Sequence, residues 1–417
     1  MSVLAANADD VRTARYAFLT LEGLLSLGDA FTNTTYFLFM YSLGLSKFHA
    51  NIVNTVGISA FMLFQLPTGA FADHFGRRTA LLVGVILEAL AYGGILFSHT
   101  FWSITLLIGL SGTGSAFISG SAEAWLVDRL KAERADSEIP GIFGTSAQIG
   151  SVSTIAGGLL GGLIGAHSLR MSFLPSLVVA AAAVPIIWTT FPETPRARLL
   201  HSGIVASLNL STMRNCATFI RSHKHLQDFL VMNILLAFAF QALNVFWAPF
   251  LKDVFGSVAA LGWVWCCVGA ARLIGASVFK RSHSRAYAHN CFVFFPLLCL
   301  CSILSMATLH NASAVLISFL LFELGRAGFA PARRSTLNEF ISGDKRATLV
   351  SMASLLYRLG GIASLLITGA LADRVGIRTT FIFSAGVVLL SIPIALNLRR
   401  TLSASEHHSA PPSLTAS

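Results

Sequence analysis
Long apolar runs alternate with short polar connections along almost the whole chain. Twelve of these runs reach about 20 residues, the length an α-helix needs to cross roughly 30 Å of hydrocarbon. They cover 16–42, 50–71, 79–98, 101–127, 139–165, 170–191, 228–251, 258–280, 286–308, 311–332, 347–371 and 376–397. Only the connection from Phe191 to Gln227 is long, and its opening "FPETPRAR" carries prolines that stop the sixth helix. The pattern predicts an all-α membrane protein with twelve transmembrane helices in two six-helix halves. Residues 1–15 are expected to form a cytoplasmic N-terminus, 16–191 the first half, 192–227 a cytoplasmic linker, 228–397 the second half and 398–417 a disordered cytoplasmic tail.

Composition agrees: 54% of residues are hydrophobic and 12% charged, against about 45–50% and about 25% in soluble chains. The opening "MSVLAANADDVRTAR" is polar and basic, so no cleavable signal peptide is expected and the first run inserts directly. Most of the 29 lysines and arginines fall in connections that this layout puts on one side, which the positive-inside rule makes cytoplasmic, with both termini. On the other side lie only Lys47, Arg170, Lys252, Arg374 and Arg378, while Arg272, Arg326 and Arg358 fall inside runs. The formal charge of +10 then reflects topology and anionic lipid, and calls for no nucleic-acid partner. The six cysteines lie in apolar segments or the linker without metal-ligand spacing. No metal site, cofactor, P-loop or catalytic motif is present, so an enzyme is not expected.

The halves repeat. A slide of 208 residues puts "GGLIGAHSLRMSF" on "GALADRVGIRTTF", matching Gly161 with Gly369, Leu163 with Leu371, Arg170 with Arg378 and Phe173 with Phe381. A slide of 211 puts "NTTYFLF" on "NVFWAPF", so Asn33 corresponds to Asn244 and Tyr36 to Trp247. Repeated halves are a recurrent transporter architecture, with the substrate held near the midplane. The repeat also makes the stretch at Gly369 a periplasmic turn, unlike its look-alike "GAFADHFGRR" at Gly69.

That second-to-third-helix loop, with Gly69, Asp73, Gly76, Arg77 and Arg78, resembles the signature of the major facilitator superfamily, and the resemblance extends over essentially the whole chain. It implies the major facilitator fold, in which Gly69 lets helices approach and Asp73 and Arg77 form a charged gating latch. Asp128 in "AWLVDRL" either joins that latch or is an exposed carboxylate beside Arg129. Gly144, Gly157, Gly161 and Gly162 stand at the spacing of the family's antiporter motif, with Gly158 where the motif has proline and Ser153 where it has glycine. Generic tight packing explains the same glycines. The arginine usual in the fourth helix of drug exporters is replaced by Ile108.

Charges inside the runs are the candidates for coupling, because each is costly at mid-membrane. Glu22 and Asp29 are seven apart on one helical face, continued by Asn33 and Tyr36. In the family, helices one, four, seven and ten line the cavity, which adds Glu123, Asn244, Trp247 and Glu323 with Arg326. Arg358 could pair with a facing acid, while Glu88 and Arg272 sit on less central helices. Glu323 and Arg326 are equally explained as a pair within one helix, and Glu22 as a hydrated helix end. The reading is a monomeric inner-membrane exporter that exchanges protons for a small amphipathic or cationic compound, such as a drug or a siderophore. Proton-coupling falls to Asp29, Glu22 and Glu323. Alternatives are an uptake symporter using the same acids, and a receptor on a transporter scaffold.

Overall fold
The structure is a computed structural model that describes residues 2–193, 218–280, 285–340 and 346–409. Most of the long central connection, 194–217, and the end of the tail, 410–417, lie outside the described residues. Among the described residues no strand occurs, and ten helices are long and apolar enough to cross a membrane. The last of these, Leu349–Thr401, holds two spans, because Gly376 breaks the helix with φ 86° and ψ 167°. The first span is the helix Ser2–Asn33, which resumes after a turn at Thr34 and Thr35 as Tyr36–Ser42. Spans two to six are Lys47–Phe75, Arg77–Phe97, Phe101–Ala132, Ile139–His167 and Phe173–Thr190, and spans seven to ten are Lys224–Phe255, Val258–Lys280, Arg285–Thr308 and Ala312–Phe340. Counted with the first helix, which is not one of those ten, twelve spans result among the described residues, as the hydropathy pattern predicts.

Local chemistry sets the helix ends. Ser46 and Thr100 cap the second and fourth spans by accepting from the amides of His49 and Ser103, each at 3.3 Å. Gly76, at φ 101°, ends the second span in a conformation that suits glycine and lets the third begin at Arg77. Gly120, at φ 80°, divides the fourth span into Phe101–Ile118 and Ser121–Ala132. The first helix begins well before residue 16: Val11, Ala14 and Phe18 are buried with Trp125 and Leu130, while Asp10 and Arg12 face out. This amphipathic turn was hidden in the sequence by its mixed polarity. At the other end the helix runs on to Ser409, across most of the stretch expected to be an unstructured tail.

The chain forms two compact units, one of Met1–His201 with Ala248–Cys266, the other of Ser202–Trp247 with Cys267–Ser417. Their internal contacts make the sequence repeat physical. In the first unit, Arg170 donates to the carbonyls of Ile95, Leu96 and Ser98 at 3.4, 2.8 and 2.9 Å, capping the third span. In the second, Arg378 donates to Met306, Ala307 and Leu309 at 3.3, 3.1 and 2.7 Å, capping the ninth. A cation at a helix C-terminus satisfies carbonyls that have no partner within the helix and complements the helix dipole. The two arginines that the sequence aligned thus perform one task twice. Replacing either Arg170 or Arg378 by Ala should cost on the order of 1–3 kcal/mol. The expected observation is a lower melting temperature of the purified protein for both variants; unchanged melting would make these contacts incidental.

Candidate functional site
Within the first unit a cavity of about 300 Å³ is walled by spans one to four. Four carboxyl groups reach it, Glu22, Asp29, Glu88 and Glu123, with Ser115 and Phe61 among the other lining residues, and among the described residues no Lys, Arg or His lines it. The helical spacing of Glu22 and Asp29 puts both on the cavity face, and the break at Gly120 brings Glu123 there from the first turn of the following helix. Asp29 is open to the cavity, whereas Glu88 is only 5% exposed. An ionised side chain at mid-membrane costs roughly 2.5–3.5 kcal/mol even on lenient scales. Four acids without a cation among them are therefore costly to hold as four charges.

The hydrogen bonds here come from hydroxyl groups. Tyr92 donates to Asp29 Oδ1 at 3.2 Å, and Ser115 donates to Glu88 Oε1 at 2.7 Å. A hydroxyl can donate to a carboxylate and accept from a carboxylic acid, so it serves both protonation states. The turn at Thr34 and Thr35 redirects the chain beyond Asp29. Asn33 and Tyr36, which an unbroken helix would align with Asp29, do not line the cavity, and Tyr36 instead packs edge-on to Phe37 at 5.0 Å.

The second unit treats its acid differently. Glu323, 3% exposed, has Oε2 at 2.7 Å from both Arg272 Nε and Arg326 Nη2. Arg326 also donates to Asn244 Oδ1 at 2.7 Å. Guanidinium groups only donate, so this triad is built around a carboxylate. The i, i+3 pair read from the sequence exists, and Arg272, left there on a peripheral helix, is its missing third member. Trp247 is buried and stacks on Phe319 at 5.7 Å and 9°, and Arg358 is exposed.

At the loop after the second span, Arg77 lies 2.7 Å from Asp73 Oδ1 and 3.8 Å from Asp128 Oδ2. Asp128 faces this latch, while its neighbour Arg129 pairs with Asp10 at 3.3 Å, a partner the sequence reading missed. Arg78 is turned away, donating to the Trp188 carbonyl at 2.6 Å and stacking over that ring at 4.2 Å. Partly exposed ion pairs contribute about 0–1 kcal/mol each. One expectation is corrected: a side chain on Gly69 would meet nothing within 4 Å, so close helix approach does not explain that glycine here.

Of the five fifth-span glycines singled out in the sequence, Gly144, Gly157, Gly158, Gly161 and Gly162, four are tightly packed. A Cβ on Gly157 would press on Ala30 and the Leu27 carbonyl, and one on Gly161 on the Phe31 backbone. Gly158 receives the Trp265 ring, whose Nε1 donates to the Thr154 carbonyl at 3.2 Å, and Gly162 meets the Gly262 backbone. Gly144 has open space around it.

The sequence model of the Major Facilitator Superfamily matches residues 19–295 and 229–414. An MFS-type transporter of Bacillus subtilis (strain 168), YxaM, is 23% identical over 91% of this chain and 94% of its own length. The multi-drug resistance efflux pump PmrA of Streptococcus pneumoniae serotype 4 is 21% identical over 88% of this chain and 90% of its own. The crystal structure of the nucleoside transporter NupG superposes with a TM-score of 0.80 at 15% identity, covering 92% of this chain and 98% of that one.

The triad in the second unit makes a direct prediction. Glu323→Gln leaves two guanidinium groups facing each other without a counter-charge and should cost about 3–5 kcal/mol. Adding Arg272→Gln should restore part of that loss in thermal denaturation of the purified protein. A single variant as stable as wild type would show that the triad does not depend on its charge.

Proposed function
The chain belongs to the major facilitator superfamily, and on that premise we propose that it exports a small cationic or amphipathic organic compound in exchange for protons. The observation that carries this reading is the acid-lined cavity without a basic residue, in which Asp29 is open to the cavity and held by a hydroxyl. A cation and a proton are the two species that such a carboxylate accepts. Binding both at one group makes them compete, and the competition is the exchange. A proton entering across 100 mV supplies about 2.3 kcal/mol, enough for roughly a fifty-fold gradient of a neutral compound.

The likeness to an efflux pump supports the export direction, and the likeness to a nucleoside transporter bears on the fold alone. The loop around Arg77 acts as the cytoplasmic latch, and both termini lie in the cytoplasm, in keeping with the distribution of basic residues. The bound compound leaves when the latch closes and the cavity opens to the other side.

Everted membrane vesicles with a preset proton gradient provide the test. Addition of lipophilic cations such as ethidium should dissipate the gradient with wild type, and fail to do so with Asp29→Asn at equal membrane abundance. Asp73→Asn should insert normally and transport at least tenfold more slowly. Gradient loss that persists undiminished in Asp29→Asn would remove Asp29 from coupling, and proton movement in the opposite sense would make the protein an uptake symporter. For topology, a cysteine at Arg374 should react with an impermeant thiol reagent from the periplasmic side only, and one at His74 from the cytoplasmic side only. The reverse pattern would invert the assigned orientation.

A further inference from the structure
Glu88 is the buried acid that neither the latch nor the arginine triad accounts for. It projects from the third span and is 5% exposed, and its Oε1 accepts from Ser115 of the fourth span at 2.7 Å. The repeat shows whether the fold needs a carboxyl there. A Cβ on Gly114 would lie 2.8 Å from the Gly84 carbonyl oxygen and 3.0 Å from Glu88 Cγ. A Cβ on Gly325 would lie 3.3 Å from the Phe295 carbonyl oxygen and 2.9 Å from Cys299 Sγ. The slide of 211 residues that relates Asn33 to Asn244 also relates these three positions, glycine to glycine, Gly84 to Phe295 and Glu88 to Cys299. One helix-packing site is thus built twice, and in the second unit a small thiol fills it. Packing alone therefore does not require an acid at position 88.

The surroundings of Glu88 suit a group that changes its protonation. Ser115 can donate to its carboxylate or accept from its acid. One helical turn onward, Tyr92 does the same for Asp29 at 3.2 Å, with Ser111 within hydrogen-bonding reach of the same hydroxyl. The titratable groups facing Glu88 are Asp29 of the first span and Tyr92 of its own span, and the two carboxyls are near enough to feel each other's charge. Glu22 and Glu123 share the cavity, and no Lys or Arg lines it.

We propose that Glu88 is a second proton-binding carboxyl of the exchange, acting beside Asp29 in the same cavity. The inference rests on the proton-coupled reading above and adds a residue to it. Tyr92 is the positioning residue: its hydroxyl holds Asp29 while its helix carries Glu88. The two carboxyls take up and release protons as a linked pair, because the charge on one acts on the other. Each proton that enters forms one O–H bond at a carboxylate oxygen and leaves by breaking it on the opposite side.

The test needs no knowledge of the transported compound. The purified full chain in lipid vesicles is titrated with acid, and infrared difference spectra record the carboxylic C=O stretch over the range in which the protein stays folded. Wild type minus Glu88→Gln, and wild type minus Asp29→Asn, should each isolate one such band. Glu88→Cys, which installs the residue of the repeat-related position, should lose the same band as Glu88→Gln and covers the case in which the glutamine variant fails to fold. Tyr92→Phe should keep both bands and shift the one belonging to Asp29. Absence of a band in both Glu88 double differences would overturn the proposal, and an unshifted Asp29 band in Tyr92→Phe would overturn the positioning role of Tyr92. Both bands in a protein that shows no proton-driven flux would uphold the carboxyl pair and count against the export reading instead.

Discussion
The low dielectric of the membrane interior penalises every charge and every unsatisfied backbone group, and the protein's arrangement follows from how each one is met. Arg170 and Arg378 spend their positive charge on helix-end carbonyls. Glu323 is enclosed by two guanidinium groups. Asp29 and Glu88 of the first unit receive hydroxyl partners, and among the described residues no cation lines their cavity, which leaves protonation or a bound cation as the way to neutralise them.

The repeat shows how one scaffold supports both solutions. The glycine that brings the fourth span against the third reappears where the tenth meets the ninth, with the same backbone contact. At the adjoining positions the chemistry diverges: Glu88 and Ser115 in the first unit correspond to Cys299 and Arg326 in the second. The packing is common to both units, and the charge is distributed differently in each. The second unit encloses Glu323 between two arginines, while in the first Asp29 and Glu88 meet hydroxyl groups.

The fold was legible because membrane spans are written in long apolar runs, and the repeated arginines, glycines and phenylalanines identify the halves without reference to tertiary contacts. The acidic face of the first span was legible for the same reason, since Glu22 and Asp29 lie two helical turns apart. Asn33 and Tyr36 escaped that logic because the turn at Thr34 and Thr35 interrupts the periodicity, and neither threonine is a strong breaker on its own. Glu88, Tyr92 and Arg272 were hidden for a different reason. Their roles depend on which helices are neighbours, and a chain read residue by residue does not disclose that the third span faces the first. One signal was available: Glu88 and Tyr92 are four apart on one helix face, and the 211-residue slide sets Glu88 against a cysteine.

On the proposed mechanism, a cation that enters the cavity of the first unit displaces a proton. Calorimetric titration of the purified protein with tetraphenylphosphonium, repeated in buffers of different ionisation enthalpy, measures that exchange directly. The binding heat should vary with the buffer in proportion to the protons released, a dependence retained in Arg326→Lys and lost in Asp29→Asn. Binding whose heat is independent of buffer in the wild-type protein would contradict it.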